Sequence, residues 1–386
     1  MKDNIKIVIY KIAEKILYVL AFFMPLKKRV VFSNFSGKRY GDNPKYISEK
    51  FHEMYPDYEL IWLEKAGYHI EAPDYVTIVR WGSFRMITSL LTSKVWVDSH
   101  LKPLWCPKRK KQFYIETWHG GLGFKKIEKD VEDKMDKISI AASKHNTKLV
   151  DLLISNSEWL SDIYRRAFWG YDGEILLCGY PKEEVFYHVN PSVFSEVRSY
   201  FGIAKDVKLA LYAPTFCETH PEGGPNFKKL DYEKLVAALE EKTGTPWVVI
   251  VRLHPLDIKM AEHAIDYTDK IINGSDYPGM QELTMASDLF ITDYSSGIFD
   301  YAYMEKPGFL FAPDRKNYEE ERGVYLSLEN TPFPFAESTE RLVDNVLSFD
   351  EEAYVAGLRD FMKEVQHVVP HNSAEQICKI MKEHLS

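Results

Sequence analysis

Leu289-Phe290-Ile291-Thr292-Asp293-Tyr294-Ser295-Ser296-Gly297-Ile298-Phe299-Asp300 runs from an apolar stretch through two serines and a glycine into a second apolar stretch. The first part, Leu289–Thr292, reads as a strand buried on both faces, and Ser-Ser-Gly as the start of a helix. Strand, short polar turn and helix form the repeating unit of a doubly wound α/β sheet. The first N–H groups of such a helix lack internal partners. With the Ser295 and Ser296 hydroxyls, they would cradle a phosphate. An ordinary serine N-cap is the plainer reading of the same residues.

The pattern repeats on either side. Toward the N-terminus, Lys208–Ala213, Trp247–Arg252 and Lys270–Ile272 read as strands, and Gly308–Phe311 follows. Between them Asp231 to Lys242 is amphipathic, with Gly244 where a helix stop belongs. An earlier series comprises Arg29–Ser33, Glu59–Leu63, Val95–Asp98, Phe113–Thr117 and Leu152–Ser155. Two such series predict an α/β protein with two Rossmann-like, doubly wound domains, the helix-like Pro191–Phe201 bridging them. The expected division is 1–28 an interfacial helix, 29–190 and 191–365 the two domains, and 366–386 a C-terminal helix.

In these folds ligands sit at the carboxyl ends of the strands. There stand Trp118-His119-Gly120-Gly121, Pro214-Thr215, Arg252-Leu253-His254-Pro255 and the Ser295/Ser296 turn. A histidine fixed at a strand end can accept a hydroxyl proton near neutral pH. Trp118 would limit water there, and Gly120 and Gly121 would allow close approach. Arg252 and His254 alternate, so both would point one way if the strand extends that far, an arrangement suited to a pyrophosphate leaving group.

Composition sets outer limits. The chain has 386 residues, 45% hydrophobic and 27% charged, which excludes wholesale disorder and a polytopic membrane protein. The net charge of −8 argues against a nucleic-acid binder. Residues 1–40 carry nine Lys/Arg against two acids, whereas the remainder carries 40 against 55. Within that basic segment Ile5, Ile9, Ile12, Ile16, Val19 and Phe23 recur at helical spacing. The uncharged run Ile16–Leu26 is 11 residues, short of the roughly 18 a membrane span needs. An interfacial helix follows, with Lys11, Lys15, Lys27, Lys28 and Arg29 meeting anionic headgroups. A helix packed on the protein's own body is the competing reading. Cys106, Cys178, Cys217 and Cys378 are widely spaced, as reduced, buried thiols would be.

No G-x-G-x-x-G, P-loop, H-E-x-x-H, G-x-S-x-G or D-x-D motif occurs. His367 and His371 are spaced as a helical metal pair, but Pro370 breaks the helix. No metal site or cofactor is indicated, and divalent-metal dependence stays open.

Seven ordered stretches resemble the CDP-glycerol glycerophosphotransferase family of teichoic acid biosynthesis in Gram-positive bacteria. They are Val31 to Tyr46 (including Asn43), Thr117-Trp118-His119-Gly120, Gly179-Tyr180-Pro181, Leu211-Tyr212-Ala213-Pro214-Thr215, Arg252-Leu253-His254-Pro255, Thr292-Asp293-Tyr294-Ser295-Ser296 and Glu321-Arg322-Gly323. The resemblance implies a GT-B-like fold with its active site in the interdomain cleft. The first domain would face a lipid-linked glycan or polymer acceptor, through Trp118, Gly120, Gly121 and Asn43. The second would hold the CDP-alditol donor, through Arg252, Asp293, Ser295, Ser296, Gly297 and Thr215. His119 would be the general base and His254 its catalytic counterpart near the donor phosphates. The resemblance further implies a peripheral protein on the cytoplasmic membrane face, where the basic run Lys108-Arg109-Lys110-Lys111 would add a contact.

Three stretches depart from the family pattern. Gly121-Leu122-Gly123-Phe124-Lys125 stands for the usual T-P-L-K, Phe216-Cys217 for W-R, and His371-Asn372-Ser373-Ala374-Glu375 for D-G-x-A-[ST]. These differences leave the donor alditol and the acceptor open. A nucleotide-sugar glycosyltransferase of the same fold is the nearest rival, and a catalytically silent membrane adaptor the other.

Overall fold

The computed structural model describes residues 2–188, 190–216, 225–254, 256–261 and 264–386; Cys217 and Pro255 lie outside them. The chain divides into two compact units. One comprises Met1–Gly121, Ile127–Glu184 and Val365–Ser386, the other Leu122–Lys126 and Val185–Glu364.

The first unit is built on β1 (Lys27–Ser33), β2 (Glu59–Glu64), β3 (Val76–Arg80), β4 (Ser93–Asp98), β5 (Phe113–Glu116), β6 (Leu152–Ser155) and β7 (Glu174–Leu177). They form one parallel sheet in the order β3-β2-β1-β4-β5-β6-β7. The second unit has β8 (Lys208–Tyr212), β9 (Trp247–Val251), β10 (Ile271–Asn273), β11 (Leu289–Thr292), β12 (Gly308–Phe311) and β13 (Phe335–Ala336). Their order is β10-β9-β8-β11-β12-β13, again all parallel. Strand order reverses at β1/β4 in one unit and β8/β11 in the other, the places where such sheets open a crevice for ligands. Central strands carry buried apolar runs because helices cover both faces; all five residues of β9 are buried.

The sequence reading missed β3, β7 and β13. All three are sheet edges, where partial cover permits charged or half-exposed residues and weakens the apolar signal. Helix Tyr232–Thr243 has the expected ends: Asp231 accepts the Lys234 N–H as its cap, and Gly244 takes a left-handed conformation with φ +66.

The division of the chain differs from the expected one in two places. The 366–386 segment is part of the first unit. Ile377, Cys378, Met381 and Leu385 of helix Ser373–Leu385 are buried in one core with Phe32, Ile47 and Phe51. Leu122–Lys126 belongs with the second unit: Phe124 packs on Phe299 at 5.1 Å, and Lys126 N–H donates to Gly323 O at 3.1 Å. Thus the departure after Gly121 and the Glu321-Arg322-Gly323 motif meet in one place. Cys106, Cys178 and Cys378 are buried free thiols.

Helix Lys2–Phe22 is anchored on one side only. Ala21 is fully buried, and Ile7, Glu14 and Leu17 are half-buried on the same face. Arg109 Nη1 donates to Met24 O at 2.7 Å just past the helix end. Ile5, Val8, Ile9, Ile12, Ile16, Val19, Leu20 and Phe23 are each more than half exposed. At 100° per residue they form one stripe, flanked by Lys11 and Lys15 on one side and Lys2 and Lys6 on the other. No helix among the described residues is long and apolar enough to cross a membrane.

Arg29 corrects the expected lipid-facing set. It is 8% exposed, and its guanidinium donates to Ser93 Oγ (2.8 Å) and Thr92 Oγ1 (2.7 Å) and pairs with Glu59 at 3.4 Å. Arg29 ties β1 to its neighbours and offers nothing to lipid. Lys27 and Lys28 are exposed. Half of the later basic run is also consumed internally, since Lys108 pairs with Asp151 at 2.6 Å and Arg109 holds Met24.

Candidate active site

In the first unit the polar residues converge where β1, β4 and β5 end. Beyond β5 the chain turns sharply: Trp118 has φ +53, a left-handed conformation that bulky residues rarely adopt. Trp118 itself is buried and packs edge-on against Phe168 at 5.0 Å, so it supports the turn from the core side. His119 follows, half-buried, its ring 4.3 Å from Trp118, 4.8 Å from Phe35 and 5.9 Å from His100. His119 Nδ1 lies 2.9 Å from Ser99 O. A carbonyl only accepts, so Nδ1 carries the proton in the neutral ring and Nε2 the lone pair, the tautomer a general base requires.

The backbone of this turn is held from two further directions. Lys182, 6% exposed, donates from Nζ to His119 O at 2.9 Å and lies 3.8 Å from Asp42. Burial raises the Asp42 carboxyl and the Lys182 charge opposes that rise. Asn43 is fully buried and accepts the Lys182 N–H at 3.1 Å through Oδ1, so it acts beneath the site. Gly120 O accepts the Tyr164 hydroxyl at 3.1 Å. At Gly121 a Cβ would fall 2.5 Å from Asn156 Nδ2 and 2.6 Å from Glu183 Oε1, so any side chain there would displace the buried Asn156–Glu183 pair.

Ser99, His100 and Lys182 were not singled out from the sequence, whereas Phe35 lies in the Val31 to Tyr46 stretch that was. Ser99 and His100 stand just past a strand end, and the rule that found His119 could have found them. Lys182 carries no such sign; only folding brings it under the turn. His100 is pushed down to about 4 by burial and by its neighbour His119, so this second imidazole is neutral at pH 7.

In the second unit Thr215, Arg252, His254, Asp293, Ser295 and Ser296 come off the ends of β8, β9 and β11, as expected for one face of a sheet. Three details differ from the sequence reading. First, β9 ends at Val251, so strand alternation does not set the directions of Arg252 and His254. Arg252 Nη1 instead donates to Tyr277 O at 2.6 Å, and exposed His254 lies against Phe216 with ring centres 5.2 Å apart.

Second, the early N–H groups of helix Gly297–Ala302 have internal partners: Gly297 N–H donates to Ser295 Oγ at 3.2 Å, and Phe299 N–H to Ser296 O at 3.0 Å. The Ser295 hydroxyl oxygen, one residue before the Ser296 cap position, already takes up one of these donors. Third, Asp293 is 1% exposed, its carboxylate accepting from Thr215 N–H (2.9 Å) and Tyr294 N–H (2.6 Å). Burial raises it above the usual carboxylate range. Asp293 joins the ends of β8 and β11, and a carboxylate so placed would repel a phosphate.

His254 Nδ1 accepts the Leu256 N–H at 3.3 Å. Its neutral ring therefore carries the proton on Nε2, opposite to His119. One imidazole is set to take a proton and the other to donate a hydrogen bond. Among the described residues no group of three or more His, Cys, Asp or Glu is arranged to hold a metal ion.

The chain is 33% identical over 319 residues to a teichoic acid poly(glycerol phosphate) polymerase of Staphylococcus epidermidis, covering 80% of this chain and 43% of that one. It thus spans under half the length of that relative. A Staphylococcus aureus teichoic acid glycerol-phosphate transferase is 29% identical over 393 residues, 97% of this chain and 99% of that one. The solved structure of the wall teichoic acid polymerase TagF superposes with a TM-score of 0.81 at 26% identity, covering 100% of this chain and 97% of that one. Residues 16–383 match the family model of CDP-glycerol:poly(glycerophosphate) glycerophosphotransferases, and the chain belongs to that family.

Proposed function

We propose that the protein transfers an alditol phosphate, most simply glycerol 3-phosphate, from a CDP-linked donor to a hydroxyl of an undecaprenyl-diphosphate-linked glycan or polymer, releasing CMP. The observation that carries this reading is the fixed tautomer of His119 at the sheet's ligand-binding end. His119 Nε2 takes the proton of the acceptor hydroxyl as its oxygen attacks the phosphorus that bears the alditol. The bond from that phosphorus to the CMP oxygen breaks, and CMP departs with added negative charge. Arg252, the Nε2–H of His254 and the Ser296 hydroxyl stabilise that charge, so positioning and electrostatics do most of the work.

A donor panel tests this. Purified protein with lipid-linked acceptor should release CMP from CDP-glycerol or CDP-ribitol, with product mass increased by the alditol phosphate. Transfer of a sugar from a nucleotide sugar would favour the glycosyltransferase reading. Release from none of the donors would end the assignment.

The same proposal places the protein on the cytoplasmic membrane face, held by helix Lys2–Phe22. Its apolar stripe is exposed along the whole helix and bordered by lysines, which suits an anionic lipid surface. Ile9→Glu combined with Ile16→Glu should cut binding to phosphatidylglycerol vesicles by more than about 10-fold, since each charge must leave water with the stripe. CMP release to a soluble acceptor analogue should be unchanged. Undiminished vesicle binding would remove the helix from the membrane contact.

A further inference from the structure

Beneath the His119 turn lies a buried titratable cluster that the transfer chemistry does not use. Asp98, Lys102, Tyr114, Glu116 and Asn146 are each 3% exposed or less. Lys102 Nζ donates to Asp98 Oδ2 at 2.6 Å. The Tyr114 hydroxyl donates to Glu116 Oε2 at 2.7 Å, and Asn146 Nδ2 donates to the same oxygen at 3.3 Å. The other oxygen, Glu116 Oε1, accepts the N–H of Trp118 at 3.0 Å. Trp118 is the residue with φ +53, and its peptide leads directly into His119.

The second carboxylate residue serves the same turn through its backbone. Asp98 O accepts the Thr117 N–H at 2.7 Å, and the next carbonyl, Ser99 O, receives His119 Nδ1. Two buried acids on adjacent strands therefore hold the Thr117 and Trp118 peptides that lead into His119, and Ser99 O, next to Asp98, holds its ring. A left-handed tryptophan persists only where its surroundings hold it. A carboxyl group fixed by Tyr114 and Asn146 through one oxygen is a suitable holder, because its other oxygen is then kept aimed at the Trp118 N–H.

We propose that Glu116 is a positioning residue for His119, holding the Trp118 peptide in the conformation that places the imidazole against Ser99 O. The proposal rests on the reading of His119 as the base. A glutamine that keeps its oxygen on the Trp118 N–H turns its Nε2 toward Asn146 Nδ2, donor against donor, so the attachment that orients the side chain is weakened.

The test is a double-mutant cycle on CMP release, using the CDP-linked donor that is active in the panel above and saturating acceptor. Wild type, Glu116→Gln, His119→Ala and the double variant are compared for kcat, donor KM and thermal midpoint. Glu116→Gln should lower kcat about 10- to 100-fold, the effect of a displacement near 1 Å, with donor KM within about 2-fold. On the His119→Ala background it should change the residual rate less than about 2-fold, because it acts through the absent ring.

An equal loss on both backgrounds would overturn the positioning role and leave the base reading intact. Wild-type kcat in His119→Ala would overturn the base reading itself. Should Glu116→Gln fail to fold, Tyr114→Phe removes the hydroxyl that orients Glu116 and serves the same cycle, with the same expected non-additivity.

Discussion

His119→Ala should lower transfer by about 10²- to 10⁴-fold, the usual worth of a positioned general base, while donor binding stays near that of the wild type. Groups other than the ring hold the turn's backbone. Trp118 N–H is held by Glu116, and His119 O by Lys182. What the ring supplies is the lone pair on Nε2, set by the Nδ1 bond to Ser99 O. Donor binding is assigned to residues of the second unit, so calorimetry with a CDP-linked donor should report an affinity within a few-fold of the wild type. His119→Gln is the informative companion. Its amide could still occupy the Ser99 bond but has no titratable lone pair, and it should be as inactive as alanine. Loss of donor affinity together with rate would assign His119 to binding, and the base role would fall.

Lys102→Met should produce the largest loss of stability, about 3–5 kcal/mol at pH 8, because it strands Asp98 as an unpaired buried carboxylate. The cost should shrink at pH 5. Burial already pushes Asp98 up to about 6 with Lys102 present, and without the ammonium it must rise further. A carboxyl raised by folding contributes stability that is complete below its unfolded pKa and is lost as pH rises through the folded one. The variant can therefore relieve itself by protonation in acid and not in base.

Glu116, pushed up to about 8 by burial and then by Asp98, has the same sign and should make the wild type less stable at pH 8 than at pH 6.5. His100, pushed down to about 4, acts oppositely: its contribution is present above pH 6.5 and lost as pH falls through about 4. Urea midpoints at pH 5, 6.5 and 8 measure all of this. Adding Asp98→Asn to Lys102→Met should recover much of the loss at pH 8. A loss independent of pH would mean that packing of the lysine stem, and not the stranded charge, sets the cost.

The basic, apolar N-terminal segment illustrates how far pattern reading carries. Helical spacing of Ile5, Ile9, Ile12, Ile16 and Val19 was legible, and Lys2–Phe22 is helical with that stripe exposed. Arg29 continued the same basic run in sequence but belongs to β1, where Ser93, Thr92 and Glu59 take up its guanidinium. Nothing in a run of cations separates one that faces lipid from one that joins strands. Asp293 is a similar case: its motif pointed to phosphate, whereas its carboxylate ties together the ends of two strands.

Residue order alone made the inner strands of both series, their helices and the polar strand ends legible, because the periodicity that marks them is local, while the edge strands β3, β7 and β13 lacked it. Strand order, the devices that hold His119 and the opposite tautomers of its ring and that of His254 were decided only in three dimensions. Several depend on partners from distant segments: Ser99 for the His119 ring, Lys182 for its backbone and Ser373–Leu385 for the core behind them, whereas Glu116 and Leu256 are close in sequence and only the fold aims them at Trp118 and His254. A hydrogen bond between such groups leaves no periodic trace in the sequence, since its strength comes from burial that exists only after the chain has folded.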